Sequence, residues 1–145
     1  MLKGMSKLLT GDLLKALCEM GHGDRVAIVD ANYPAYTMGK RVIAYPGINA
    51  TNLLEAIVEI FPLDHIVPEP VLLMEMTDED KTCIPEPAIW SEFSEMVHMA
   101  YGWDKQIGKL SREDFYEASK GAYLIIQSGE ERLYGNILLV KGVVK

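Results

Sequence analysis

The sequence predicts a three-layer α/β/α sandwich built around a mixed, largely parallel sheet. Short apolar segments alternate with amphipathic helical patterns along much of the chain, which is typical of α/β folds. Residues 71–76 form an almost continuous apolar run, as expected of a central strand covered on both faces. The last two predicted strands are joined by a short turn without a helix, so at least one antiparallel neighbour is expected.

Caps, breakers and apolar spacing place the individual elements. Thr10 can begin a helix over residues 10–20 whose buried stripe should be Leu13, Leu14, Leu17 and Cys18. Further helices are predicted to begin at residue 49 or 51, to span 87–101, and to run from a capping-box motif at 111 to about 120. Strands are predicted at 25–29, 41–45, 71–76, 106–110, 122–127 and 134–140. The polar, proline-containing residues 77–86 are predicted to form a surface loop.

Length and composition indicate one globular domain spanning residues 1–145. The chain has 145 residues, 49% of them hydrophobic, and shows no repeat, low-complexity tract or linker. Its net charge of −7 argues against a nucleic-acid partner. No apolar run is long enough to span a membrane, and the first residues lack a secretory pattern. The two cysteines, Cys18 and Cys83, are predicted to be reduced thiols in a cytoplasmic protein.

Several kinds of chemistry lack their motifs. The three histidines, His22, His65 and His98, show no metal-ligand spacing, and no CxxC pair exists, so no metal site is expected. The chain also lacks a phosphate-binding GxxxxGK[ST] loop, a complete dinucleotide-binding glycine motif and a GxSxG elbow. An enzyme built on this sequence is therefore expected to use acid–base side chains and no cofactor.

The most informative segment places His22 between Gly21 and Gly23, after a helix and before a strand that delivers Asp30. Glycines on both sides leave the imidazole without bulky neighbours, and histidine titrates near neutral pH. This pattern suits a proton-transfer site. It is equally typical of a helix that ends at Gly21, with His22 as an ordinary solvated turn residue.

A second informative segment is Tyr134-Gly135-Asn136, which leads into the last apolar strand. Tyrosine offers a ring face and a hydroxyl, asparagine offers a donor and an acceptor, and glycine lets a ligand approach the backbone. These groups suit a sugar, which has weakly apolar C–H faces and directional hydroxyls. The alternative is a strand start with a bulge glycine.

Together these segments resemble the family of L-fucose mutarotase and D-ribose pyranase over essentially the whole chain. The matching pieces lie at 19–24, 30–31, 34–35, 38–39, 115–117, 129–130 and 134–142. The resemblance implies a cytoplasmic, cofactor-free isomerase of carbohydrate metabolism that interconverts the anomers of a free monosaccharide. It also implies a homo-oligomer, typically a homodecamer of two stacked pentameric rings, with sites near subunit interfaces.

The resemblance also implies roles for particular residues. His22 matches the family's catalytic histidine, here the expected proton donor, and Asp30 matches its sugar-binding aspartate. Tyr134, Gly135 and Asn136 match the sugar-contacting triplet.

One further match and two departures bear on which sugar is bound. Arg112 matches the arginine of the fucose branch, where the ribose branch tends to carry a histidine, so L-fucose is the expected sugar. Asn32 and Tyr36 stand where the fucose branch often has histidines.

Three alternatives stay open. The chain could be a non-catalytic sugar-binding or sensing protein, a ribose pyranase-type enzyme, or a structural oligomer-forming domain. Asp30 could bind the sugar or orient the His22 imidazole. A pocket built from one small sandwich should be shallow, and a head-to-tail neighbour could wall it off.

Overall fold

A computed structural model describes residues 2–102 and 106–145. Its elements in chain order are α1 Gly11–Glu19, β1 Arg25–Val29, α2 Ala35–Met38, β2 Val42–Tyr45, α3 Ala50–Val58, β3 Val71–Met74, α4 Asp78–Cys83, α5 Ile89–Tyr101, β4 Gly108–Leu110, α6 Arg112–Lys120, β5 Leu124–Ser128 and β6 Ile137–Val140. Residue 1 and residues 103–105 lie outside the described part of the chain.

The six strands form one mixed sheet in the order β2-β5-β1-β6-β3-β4. The pairs β2–β5, β5–β1 and β3–β4 are parallel, whereas β6 runs antiparallel to both β1 and β3. The predicted antiparallel strand is therefore present. Its neighbours are β1 and β3, however, because β1 is inserted between β5 and β6.

Helices cover both faces of this sheet. α3 packs against α5 and β1, while α6 packs against α2 and contacts β1, β3 and β4. All four residues of β6 are buried, as are the last four of β1. A strand buried at consecutive positions has cover on both sides, since its side chains alternate between the faces. The α/β/α prediction is confirmed.

The cap predictions hold for two helices. The Thr10 hydroxyl accepts a hydrogen bond from the Leu13 amide at 3.4 Å, and the Ser111 hydroxyl accepts one from Asp114 at 3.1 Å. The predicted inward stripe of α1 is only partly right. Leu13 and Leu17 are buried, but Cys18 is exposed, because Ala16 takes a buried position on this helix.

Two short helices were not expected. Residues 77–86, predicted as loop, contain α4, because Thr77 caps it through the Asp80 amide and acidic residues occupy its first turn. α2 follows Pro34 directly. The last strand begins at Ile137 instead of residue 134, because Tyr134 has a φ of 62°, outside the strand region.

Candidate active site

A polar pocket lies where the carboxyl ends of β1 and β3 meet the amino end of β6. Asp30 directly follows β1, Met74 ends β3, and Asn136 precedes the antiparallel β6. In open α/β sheets, ligands bind at the carboxyl ends of the parallel strands. The cavity measures about 230 Å³ and is lined by Asp30, Asn32, Tyr33, Met74, Asp80, Arg112, Tyr116, Leu133, Tyr134 and Asn136.

Asp30 and Asn136 form the buried floor of the pocket. The Asn136 amide donates to Asp30 Oδ2 at 2.8 Å, and its Oδ1 accepts the Asp30 backbone N–H at 2.9 Å. The Asn32 N–H donates to Asp30 Oδ1 at 3.0 Å. Burial raises the pKa of the Asp30 carboxyl, against the lowering effect of these hydrogen bonds. The donors Asn136, Asn32 and Tyr33 leave the carboxylate a lone pair for a ligand hydroxyl.

Aromatic rings and one guanidinium complete the walls. Tyr33, Tyr116 and Tyr134 line the cavity, with Tyr33 and Tyr116 in an edge-to-face contact at 5.3 Å between ring centroids. Burial raises the pKa of Tyr33 to about 12, so its hydroxyl, which contacts Ser119, is neutral at physiological pH. Arg112 reaches the pocket from the first residue of α6, with its side chain half-exposed.

Gly135 shapes the pocket without lining it. A Cβ built at this position would lie 2.8 Å from Glu130 Cγ, so the backbone can pass here only as glycine. Glu130 is buried and is held by Arg132 through contacts of 2.8 and 3.0 Å. The hydrogen bonds from Arg132 lower the pKa of the Glu130 carboxyl. The segment before β6 is thus fixed by an ion pair whose carboxylate is buried and whose guanidinium is half-exposed.

His22 lies at the other end of strand β1 from the pocket. It precedes β1, whereas Asp30 follows that strand, and five strand residues at about 3.3 Å each put roughly 15 Å or more between them. Gly23 has a φ of 84°, and its N–H donates to Lys141 just beyond β6. Of the two glycines that flank His22, Gly23 is therefore the one that adopts the left-handed conformation. α1 ends at Glu19 with Met20 as its C-cap, so Gly21 is not the C-cap.

The partner of His22 is Asp64, which sequence reasoning missed. His22 Nε2 lies 3.0 Å from Asp64 Oδ2, and the imidazole is 44% exposed whereas the carboxylate is 3% exposed. The backbone N–H of Ile66 is the largest influence that lowers the pKa of Asp64, and His22 adds to it. An ionised carboxylate only accepts, so Nε2 carries the hydrogen and Nδ1 is left for chemistry. Within one chain, Asp30 does not orient His22.

The structure thus brings together four predicted residues and separates one. Asp30, Arg112, Tyr134 and Asn136 share the pocket, and Gly135 lies behind it. Of the two departures noted above, Asn32 lines the pocket, whereas Tyr36 is exposed on α2.

One of the missed pocket residues had a sequence signal. Tyr116 is four residues after Arg112 on a predicted helix, so the two share a face. Asp80 lies in the segment predicted as a loop, and no sequence signal pointed to it.

Three larger hollows in the described part of the chain, of about 430, 410 and 400 Å³, lack this convergence. One of about 430 Å³ is lined by the first residues of the chain and is mostly aliphatic. Another, of about 410 Å³, borders α5, and the lysine in its wall is already engaged with Glu86 and the Trp90 ring. Among residues 2–102 and 106–145, no three His, Cys, Asp or Glu side chains are grouped to hold a metal ion. In the same ranges, no helix has the length and apolar character to cross a membrane.

Comparison with known proteins agrees with this geometry. Residues 3–144 match the RbsD / FucU transport protein family. The chain is 40% identical over 143 residues to the L-fucose mutarotase of Haemophilus influenzae strain 86-028NP, covering 99% of this chain and 97% of the relative. The chain therefore belongs to the RbsD / FucU family.

Two solved structures extend the comparison. The fucose mutarotase of Streptococcus pneumoniae in complex with L-fucose is 41% identical, has a TM-score of 0.92, and is matched over 99% of this chain and 100% of that one. Bacillus subtilis RbsD complexed with D-ribose is 26% identical, with a TM-score of 0.70 and full coverage of both chains.

Proposed function

We propose that this protein is a sugar mutarotase, an isomerase that interconverts the α and β anomers of free L-fucose. The observation that carries the proposal is the convergence of a carboxylate, an amide, a guanidinium and aromatic rings in one pocket. Support comes from the 41% identity, over essentially both whole chains, to a fucose mutarotase bound to L-fucose. The lower identity to a ribose-bound relative favours fucose over ribose.

The pocket residues divide the work of holding the sugar. Asp30 accepts a sugar hydroxyl hydrogen through the carboxylate lone pair that its protein donors leave free. Arg112 donates from its fork of N–H groups to hydroxyl oxygens. Tyr134 presents an aromatic surface to the C–H face of the ring. Asn136 acts mainly by holding the Asp30 carboxylate in place.

Ring opening needs a proton delivered to the ring oxygen and another removed from the anomeric hydroxyl. His22 is the proposed group for both transfers: its Nδ1 takes the proton of the anomeric hydroxyl and then delivers that proton to the ring oxygen. Asp64 fixes the tautomer of His22 by accepting the Nε2 hydrogen. His22 and the pocket of the same chain lie at opposite ends of strand β1. The imidazole that serves one pocket therefore comes from a second copy of the chain. No cofactor takes part in this proposed reaction.

A homo-oligomer, a decamer of two pentameric rings, is the proposed assembly. At about 230 Å³ the pocket is smaller than the roughly 300–1,000 Å³ typical of ligand sites, which suits a wall supplied by a neighbour. Leu133 at the pocket and Ile66 beside Asp64 are 54% and 67% exposed, so each half carries an apolar contact point. A head-to-tail contact between these halves closes into a ring.

We also propose a cytoplasmic protein of carbohydrate metabolism. Cys18 and Cys83 are free, exposed thiols, which suits a reducing compartment.

Anomer exchange of L-fucose and D-ribose, followed by saturation-difference NMR with and without the protein, tests the proposed function. We expect faster exchange for both anomers of L-fucose and a smaller effect on D-ribose. Faster exchange of D-ribose alone would identify a pyranase-type enzyme. Binding of fucose without any acceleration would identify a sugar-binding or sensing protein.

A further inference from the structure

Tyr134 adopts an unusual backbone conformation in the pocket wall. Among residues 2–102 and 106–145, it is the one non-glycine residue with a positive φ, at 62°. A bulky side chain in this region is disfavoured, because its Cβ crowds the following carbonyl oxygen. Such residues persist only where surrounding contacts hold them, and they cluster at functional sites. The contacts that hold Tyr134 in this conformation therefore bear on how the pocket works.

The inner end of Tyr134 is held by Trp90 on α5. The Trp90 indole N–H donates to the Tyr134 carbonyl oxygen at 3.1 Å in a buried hydrogen bond. The two rings also meet edge to face, with centroids 6.4 Å apart and planes at 73°. These contacts fix the backbone of Tyr134 and one side of its ring. They leave the hydroxyl end to be fixed by another element.

The outer end of Tyr134 is held by α4. The Tyr134 hydroxyl donates to Asp80 Oδ2, and its oxygen accepts the Thr77 backbone N–H at 3.2 Å. Thr77 is also the N-cap of α4, where its own hydroxyl accepts from the Asp80 amide at 3.2 Å. One short helix thus supplies both an acceptor and a donor to a single hydroxyl.

These hydrogen bonds change what Tyr134 can offer a ligand. A tyrosine hydroxyl has one hydrogen to donate, and Asp80 already accepts it. Tyr134 lines the pocket with its hydroxyl hydrogen engaged, so the ring is the part of this side chain left to contact a ligand. α4 has no fully buried residue, and two hydrogen bonds join this helix and its N-cap to Tyr134 in the pocket wall.

We propose that Asp80 is a positioning residue for sugar binding, which holds the Tyr134 ring as a fixed wall of the pocket by accepting its hydroxyl hydrogen. This inference rests on the proposed function. It adds a residue that lies in a segment predicted as loop, outside the motifs that carry the family resemblance. Asp80 acts through Tyr134 and touches none of the reacting atoms.

A double-mutant cycle tests the proposal on the full-length protein. The variants are Asp80→Ala, Asp80→Asn, Tyr134→Phe and the combination of Asp80→Ala with Tyr134→Phe. Asp78→Ala is the matched control, because Asp78 is fully exposed on the same helix and carries the same charge. For each variant, the L-fucose dissociation constant, the anomer exchange rate at saturating fucose and the unfolding midpoint are measured at one protein concentration.

We expect Asp80→Ala to raise the dissociation constant by about 3- to 10-fold, the usual range for one lost hydrogen bond. The exchange rate at saturating sugar should change less than about twofold, because binding and not chemistry is affected. Asp80→Asn should restore binding, since the amide oxygen accepts the same hydrogen. In the Tyr134→Phe background, Asp80→Ala should have almost no further effect, and Asp78→Ala should bind as the parent does.

Three results would overturn the proposal. Asp80→Ala could bind fucose normally, or it could weaken binding fully even in the Tyr134→Phe background, which would mean a direct sugar contact. Asp80→Asn could also fail to restore binding, which would mean that charge is required. Failure of the proposed function looks different, because the parent protein itself would then not accelerate the anomer exchange of L-fucose. In that case additive shifts of the unfolding midpoint would still refute the Asp80–Tyr134 link.

Discussion

The two ends of strand β1 carry different kinds of chemistry. At its carboxyl end, Asp30 is buried and bound by Asn136 and Asn32, and the neighbouring Tyr134 is held at both ends. At its amino end, His22 is 44% exposed and has Asp64 as a hydrogen-bond partner. The carboxyl end of β1 has polar groups held in fixed positions around a pocket, whereas the amino end exposes a histidine imidazole to solvent. Under the proposed function, recognition and proton transfer belong to separate surfaces of each chain.

Replacing the imidazole should separate activity from stability most strongly. His22→Gln keeps a donor for Asp64 but removes the imidazole that is the proposed proton-transfer group. Anomer exchange should fall by about 10²-fold or more, the usual contribution of general acid–base catalysis. The free energy of unfolding should change by less than about 1 kcal/mol, because the side chain is half-exposed. Exchange NMR and denaturation check the two parts, and near-normal exchange in a folded variant would remove His22 from the mechanism.

The carboxyl end should respond in the opposite way. Arg132→Met leaves the buried Glu130 carboxylate without its main partner, and should cost about 2–3 kcal/mol of unfolding free energy. The expected value is at the low end for a broken ion pair, because Arg132 is itself half-exposed. Glu92→Gln, which removes only the exposed partner of Arg132, should cost less than about 1 kcal/mol. Equal stability of the two variants in urea denaturation would contradict this account of a rigid end.

The pH dependence of sugar affinity should report on Asp30. Burial raises the pKa of its carboxyl, and the ionised form is the one that accepts sugar hydroxyls. Affinity should be full above this raised pKa, and should fall by up to about tenfold per pH unit as the pH drops below it. Calorimetric titration over a pH series measures the effect, with Asp30→Asn as a variant that should lack this dependence. A parent as insensitive to pH as that variant would exclude ionised Asp30 from binding.

Arg112 should have the smallest effect, because it lies half-exposed at the pocket margin. Arg112→Ala should weaken L-fucose binding by about 0.5–1.5 kcal/mol with little loss of stability. Arg112→His, toward the residue that the ribose branch tends to carry, should lower the preference for fucose over ribose. The ratio of the two dissociation constants is the measurement. An unchanged ratio would assign selectivity to other residues, with Asn32 in the pocket as the first to examine.

Local sequence patterns predicted most of the fold, because caps and apolar spacing act over a few residues. Strand β1 and the caps Thr10 and Ser111 were placed correctly. Strand neighbours were not predictable in the same way, since the pairing of β6 with β1 and β3 joins residues distant in sequence.

The site shows the same division between local and long-range information. Motifs located Asp30 and Asn136, which the structure joins across 106 positions. They gave no sign of Asp64, which is 42 residues from His22, or of Asp80, which belongs to a helix predicted as loop.

The central claim is that a pocket from one chain and His22 from another form each active site. It is tested most directly by mixing two impaired variants, His22→Gln and Asn136→Ala, in one oligomer, with exchange measured at low L-fucose, where weak binding limits the rate of Asn136→Ala. Each variant has one damaged half, so random co-assembly at equal amounts should restore about one quarter of the parent exchange rate. Co-expression with two different tags and purification on both gives the mixed species. A mixed oligomer no more active than the two variants alone would contradict the claim.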